Sequence, residues 1–286
     1  MIKLLALDLD GTLLDPQGKI SSANRKAIRE AEHNGVLVTI ATGRRFRDAL
    51  PVALELGLNA PIITHNGALI KYADTLDAIS VSLLQPDVSG EVIRVGRELG
   101  GDALVSTQPE GHGSLFYERI SEGNLPLQKY IRWAESLHGT AAGQGLKHVE
   151  DLGAVLPNTS VIHISYSGQC SAMERMANEL RTEFGDRITL LQTIYTALDF
   201  TLLDILPAGS SKGSGVEKLA SISGLLPEHV MAIGDNFNDI EMLEYAGTPI
   251  LMGNAAEGLR AERGYHRTLS NAEDGVARAI ERFILA

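Results

Sequence analysis

Cysteine is all but missing from this chain. Cys170 is the only one, so no internal disulfide can form, and a reducing compartment is the expectation. No apolar run reaches the length of a membrane span. Met1-Ile2-Lys3-Leu4 leads straight into a first apolar segment without the core of a signal peptide, so a cytoplasmic location is expected. Positive charge is also short: 25 Lys and Arg face 36 Asp and Glu, a net charge of −11. That argues against nucleic acid or an anionic membrane as partner, while leaving room for a local cationic site. The eight histidines fall in no metal-ligand spacing. No internal repeat or low-complexity tract is present. Asn158-Thr159-Ser160 fits a glycosylation acceptor but has no consequence without secretion. Ala208-Gly209-Ser210-Ser211-Lys212-Gly213 is rich in small residues, yet it fails the Gly-x-x-x-x-Gly-Lys-Ser/Thr pattern of a nucleotide-binding loop.

What is there is an ordinary soluble composition, 44% apolar and 21% charged, over 286 residues. That length favours two domains over one. Lys3 to Leu7 is a nearly continuous apolar run, as in a strand covered on both faces. Ile20–Asn34 reads as a helix, Val36–Ala41 as a strand, Phe46–Leu56 as a helix and Ile62–Thr64 as a strand, with Asn66-Gly67 as a hairpin signal. Alternating strands and helices with short connections predict a doubly wound parallel α/β sheet. From Gln85 to about Thr193 the pattern is mixed. Helices are expected at Gln85–Leu99, Leu125–Leu137 and Ser171–Phe184, a half-buried strand at Ser160–Tyr166, and loops at Glu110–Gly113 and Ala141–Gly145. Tyr130 and Trp133 fall at helical spacing as packing residues. The buried α/β pattern returns near Asp199, with strands at Phe200–Leu206, Val230–Ile233 and Thr248–Met252. The expected organisation is a core of residues 1–84 and 194–286 split by an α+β insert at 85–193.

The chemistry gathers where core strands end. Asp8-Leu9-Asp10-Gly11-Thr12 follows the first strand, and period-2 geometry puts Asp8 and Asp10 on one side of the chain. Two carboxylates that close repel, and burial sharpens the repulsion, so either one of them holds a proton or a cation offsets them, for which a hard divalent ion such as magnesium suits. Thr42-Gly43-Arg44, Asn66-Gly67, Gly234-Asp235-Asn236-Phe237-Asn238-Asp239 and Gly253-Asn254 occupy corresponding positions after later strands. In open α/β sheets ligands bind beyond the carboxyl ends of the strands. Carboxylates for a metal, hydroxyls and amides for a phosphate, and the ammonium of Lys212 together make a phosphoryl-transfer set.

These strings resemble, in order, the four motifs of the haloacid dehalogenase superfamily of phosphohydrolases: Asp8-x-Asp10-Gly11-Thr12, Thr42-Gly43-Arg44, Lys212, and Gly234-Asp235-Asn236-x-Asn238-Asp239. The insert between the second and third, with Asn66-Gly67-Ala68 and Met252-Gly253-Asn254-Ala255, is similar to the Cof-type branch with its subfamily IIB cap. The resemblance implies a Rossmann-like core. Asp8 is then the nucleophile that forms an aspartyl-phosphate and Asp10 the general acid/base. Thr42 and Lys212 hold the phosphoryl group. Magnesium sits on Asp8, Asp235 and the Asp10 carbonyl, with Asp239 behind it, orienting a bound water or pairing Lys212. Leu9, Thr12, Gly43, Arg44, Asn66, Asn238 and Asn254 are the candidate phosphate or substrate contacts, Arg44 having the alternative of pairing with a carboxylate. The implied substrates are small phosphate esters such as sugar phosphates, flavin mononucleotide or pyridoxal phosphate. The insert is expected to exclude water and set substrate choice, in a monomer or weak homo-oligomer. A phosphotransferase or phosphomutase shares the first half-reaction. A non-catalytic magnesium-binding regulator would need a broken nucleophile, acid/base or lysine, and none is broken.

Overall fold

The computed structural model describes residues 1–138, 145–259 and 264–286, and the chain divides into two compact units, Met1–Ser80 with Ser211–Ala286, and Val81–Ser210. The expected loop Ala141–Gly145 lies, except for Gly145, outside the described residues. Among the described residues no helix is long and apolar enough to cross a membrane.

The strands are, in chain order, β1 (Leu4–Leu7), β2 (Leu37–Ile40), β3 (Ile62–Thr64), β4 (Leu69–Lys71), β5 (Ala78–Val81), β6 (Leu104–Thr107), β7 (Ser114–Tyr117), β8 (Leu146–His148), β9 (Val161–Gly168), β10 (Ile188–Tyr195), β11 (Phe200–Pro207), β12 (Val230–Gly234), β13 (Thr248–Leu251) and β14 (His266–Arg267). In the first unit a parallel sheet runs β14-β13-β12-β1-β2. β1 is paired on both edges, by β12 and β2, and Leu4 to Leu7 are wholly buried. A strand covered on both faces has no polar side, which is why its sequence is continuously apolar. The helix Ser22–His33 is capped by the Ser21 hydroxyl, which accepts from Asn24 N. The helix Phe46–Leu56 stops at Gly57 in the left-handed region.

β3 departs from the expected parallel sheet. Its pairing with that sheet is the isolated parallel bridge Ala41–Ile63, and it otherwise belongs to a second sheet, β3-β4-β5, in which β3 and β4 are antiparallel. The Asn66-Gly67 signal explains this: the chain turns over His65–Gly67 and pairs β4 back onto β3.

The second unit carries an antiparallel-dominated sheet, β10-β11-β9-β6-β7-β8. The helices Pro86–Glu98 and Cys170–Phe184 pack on one face around Val92, Tyr166, Leu180 and Leu203. Leu127 and Ile131, from the helix Leu125–His138, pack with Leu104 and Leu115. The division at Ser80/Val81 and Ser210/Ser211 corrects the boundaries expected at 84/85 and 193/194. The strand read as the return of the core, β11, pairs residue for residue with β10, from Ile188–Pro207 to Tyr195–Phe200, and on its other edge with β9. Its buried apolar residues are as dense as those of a core strand, so apolar content alone does not separate the two.

Candidate active site

Each polar cluster read from the sequence sits at the carboxyl end of a strand in the first unit. β1 carries Asp8, whose amide donates to the Ile233 carbonyl at 3.1 Å and so continues the ladder with β12. Asp8 is buried. Its Oδ1 accepts from Lys212 Nζ at 2.6 Å, and the same ammonium donates to Asp239 Oδ1 at 2.6 Å. Lys212 opens the helix Lys212–Ile222. The Ser211 hydroxyl accepts from Ser214 N, while Ser211 N donates to Ser214 Oγ, a reciprocal cap that fixes where the lysine leaves the backbone.

The cap is held from outside by the His65–Gly67 turn. Gly67 has φ +93°, and a Cβ there would fall 2.0 Å from the Ser211 carbonyl oxygen, so no other residue fits. His65 and Asn66 are also left-handed, at φ 51° and 49°. Strain of this kind persists where surrounding structure over-determines it. Here the His65 amide donates to the Arg44 carbonyl at 2.9 Å and the Asn66 amide to the Thr42 carbonyl at 3.0 Å. The turn therefore registers the Thr42-Gly43-Arg44 loop against the Lys212 helix. The Asn66 carboxamide lies against Gly43, is buried, and its Oδ1 has no hydrogen-bond partner.

The carboxylates of Asp8, Asp235 and Asp239 bring oxygens within 4.8 Å of one another. Burial is the main cause that pushes the Asp8 carboxyl well above its ordinary range. Lys212 opposes that rise, and Asp239 and Asp235 add to it. Asp235 is pushed up to about 6, again by burial first and by Asp239 second. Three carboxylates against one ammonium leave two negative charges, which one divalent cation would neutralise, so the residues fit such an ion. Asp239 is not free to hold it. Its Oδ1 is on Lys212, and its Oδ2 accepts from the amides of Asp235 and Asn236, both at 2.9 Å. That leaves Asp8 and Asp235 as the carboxylates available to a metal. Asp239 orders the loop and the lysine, the second of the two roles read for it.

Asp10 stands just past the same strand, and its carboxylate is engaged separately from the three others. It is gripped by Arg44, with Nε to Oδ2 at 2.8 Å and Nη2 to Oδ1 at 2.6 Å. Thr42 is buried, and its Oγ1 accepts from Arg44 N at 3.1 Å, which leaves the hydroxyl proton to donate elsewhere.

Several candidate contacts are committed to structure. The Thr12 hydroxyl donates to Asp235 Oδ1 at 2.9 Å. Leu9 is wholly buried core, and its carbonyl accepts from Leu14 N. Asn254 uses both ends of its carboxamide, donating to the Gly11 carbonyl at 2.7 Å and accepting from Asn271 N at 2.9 Å. It is a tie that holds the Asp10-Gly11 turn. Asn238 is half-buried in the turn Phe237–Asp239. Asn271, which also donates to the Leu14 carbonyl at 2.8 Å, lies in no motif, so no residue pattern marks it in the sequence.

A family model of the haloacid dehalogenase-like hydrolases matches residues 5–280. The chain is 32% identical over 295 residues to the 5-amino-6-(5-phospho-D-ribitylamino)uracil phosphatase YwtE of Bacillus subtilis, across 99% of this chain and 98% of that protein. It is 29% identical over 261 residues to the HMP-PP phosphatase of Serratia proteamaculans, across 91% of this chain and 87% of that protein. A solved haloacid dehalogenase-like hydrolase from Bacteroides thetaiotaomicron superposes with a TM-score of 0.80 at 28% identity, covering 99% of this chain and 100% of that one.

Proposed function

This chain belongs to the haloacid dehalogenase-like hydrolases, and from that premise we propose that it is a magnesium-dependent phosphatase of small phosphorylated metabolites that carries the phosphoryl group on Asp8. The observation that carries the reading is the Asp8–Lys212–Asp239 chain. It is a buried carboxylate with one oxygen fixed by an ammonium that is itself fixed from behind.

With Oδ1 held by Lys212, Asp8 keeps Oδ2 to attack phosphorus. The bond from phosphorus to the ester oxygen breaks, and Asp10 gives that oxygen its proton. Asp10 then takes a proton from water, whose oxygen attacks the phosphorus. Inorganic phosphate leaves and the Asp8 carboxylate returns. Two of the three Lys212 donors are used by Asp8 and Asp239, so the third is available to a phosphoryl oxygen, as is the Thr42 hydroxyl. Asp8, Asp235 and the Asp10 carbonyl would hold the magnesium ion, which supplies the charge screening that lets a carboxylate approach a phosphate dianion. Substrate choice we assign to the Val81–Ser210 unit.

The test is phosphate release from an aryl phosphate and a panel of metabolite phosphates, with magnesium or with chelator, for wild type and Asp8→Asn. The expected result is turnover that needs magnesium and is lost in the near-isosteric variant. Equal turnover by Asp8→Asn, or none by folded wild type on any ester, would refute the reading.

A further inference from the structure

We infer that Arg44 is a positioning residue that sets the direction of the Asp10 carboxylate, and is not a ligand of the phosphoryl group. The inference rests on the phosphatase reading and adds to it how the proton donor is aimed.

The geometry is a fork on a fork. Arg44 Nε and Nη2 meet the two oxygens of Asp10 at 2.8 and 2.6 Å, so one whole edge of the guanidinium is spent on one carboxylate. Asp10 needs such a partner. Its side chain is 59% exposed, against 6% for that of Asp8. An exposed carboxylate on a short stem would sample several rotamers, and a donor that must reach one ester oxygen gains from being held in one of them. The Arg44 side chain is more enclosed, at 28%, and its main chain is fixed at both ends. The amide donates to Thr42 Oγ1 and the carbonyl accepts from His65 N. The direction of Asp10 is thereby tied to the loop that carries Thr42 and to the turn that braces the Lys212 helix.

A phosphate ligand would look different. Its guanidinium edge would be open, or held by a group that a dianion displaces easily. A phosphoryl oxygen competing for this edge must first remove a carboxylate seated on both donors, and gains only an exchange of one anion for another. Lys212 and Thr42 still offer donors without such an exchange.

The two assignments predict different kinetics. An aryl phosphate such as 4-nitrophenyl phosphate leaves as a stable anion and needs little help from an acid. An alkyl phosphate such as glycerol 3-phosphate or a hexose phosphate expels a poor leaving group and needs the proton. Arg44→Gln and Arg44→Lys are compared with wild type and with Asp10→Asn on both classes, kcat and KM being measured separately, with thermal unfolding as the check on folding. If Arg44 aims Asp10, Arg44→Gln lowers kcat on the alkyl ester about 10²-fold, within the span general acids contribute. The loss on the aryl ester is smaller, because its first step needs little acid and only the base role of Asp10 in the second step is impaired. KM rises no more than about threefold on either class, and Arg44→Lys recovers part of the alkyl rate. Adding Arg44→Gln to Asp10→Asn then costs little more on the alkyl ester, because both act through one group. Equal losses on both classes with KM raised tenfold or more would overturn the inference and make Arg44 a phosphate ligand. Wild type that turns over neither class would bring down the phosphatase reading, and this inference with it; Asp10→Asn that matches wild type on the alkyl ester would overturn this inference alone, because Asp10 would then not be the proton donor that Arg44 is said to aim.

Discussion

Asp235→Asn should make the metal-free protein more stable while abolishing its activity. The cause lies in the charge count around Asp8. Burial and the neighbouring Asp239 push the Asp235 carboxyl from 3.8 up to about 6. At pH 7 the group is nonetheless ionised in both the folded and the unfolded chain. A rise of about two units corresponds to about 3 kcal/mol of ionisation cost carried by the folded state. Asp235 is only half-buried, and discounting for solvent screening brings this to about 1–2 kcal/mol. Asparagine removes the charge and keeps the shape. Its Oδ1 can still accept from the Thr12 hydroxyl, and its Nδ2 offers Asp8 a donor in place of a like charge. The gain should appear as a rise of about 3–6 °C in the unfolding midpoint in chelator at pH 7, since 1 kcal/mol moves a domain of this size by about 2–4 °C. Magnesium should raise the midpoint of wild type and leave that of the variant nearly unmoved. Calorimetry of both proteins, each with chelator and with magnesium, reads all four values. A variant less stable than wild type in chelator would refute the reasoning, because it would mean that Asp235 contributes more through its contacts than its charge costs.

Wild type in chelator should gain stability as the pH falls from 7 towards 5. The raised Asp8 and Asp235 groups take up protons in the folded chain before the unfolded chain does, and urea titrations at several pH values would find the midpoint flat or falling if the cluster is not strained by its own charge. Lys212→Met leaves three clustered carboxylates without their cation. It should cost about 3–5 kcal/mol in equilibrium unfolding at pH 7, the size expected when one partner of a buried pair is removed; a loss below about 1 kcal/mol would show that the ammonium is not what holds the cluster. Gly67→Ala drives a Cβ against the Ser211 carbonyl at a positive φ, so it should lower both stability, by more than about 1 kcal/mol, and phosphate release, as read by thermal unfolding and steady-state assay. Asn254→Ala removes the tie to the Gly11 carbonyl and should cost about 1–3 kcal/mol with kcat reduced more than KM is raised, because it frees the Asp10 turn and touches no candidate phosphate ligand.

How far the sequence could be read follows from where each residue's function is written. Asp8, Thr42, Lys212 and Asp235 were legible because each stands at the end of an apolar strand or the start of a helix, where period and turn chemistry put side chains in known directions. The meeting of Asp8 and Asp235 was legible as well, since a parallel sheet brings its carboxyl ends together whatever lies between them in the chain, whereas Lys212 reaches them from a helix that follows a strand of the other sheet. The limits of the insert were not. β11 is eight residues of mostly buried apolar character, and nothing inside such a run tells whether it pairs with β10 in a hairpin or with β1 in a parallel core. Register is a property of two strands, and only the partner reveals it. The same holds at finer scale for asparagine. Asn66 and Asn254 both follow strands and both precede or follow glycine, so they read alike. In the structure one is buried with its Oδ1 unpartnered beside Gly43, and the other spends both ends on main chain. Motif order therefore carries the reaction, because chemistry needs residue types at strand ends. The division of labour among the polar residues around it is set by hydrogen bonds between segments more than two hundred residues apart, as Lys212 with Asp8 and Asn254 with Gly11 demonstrate.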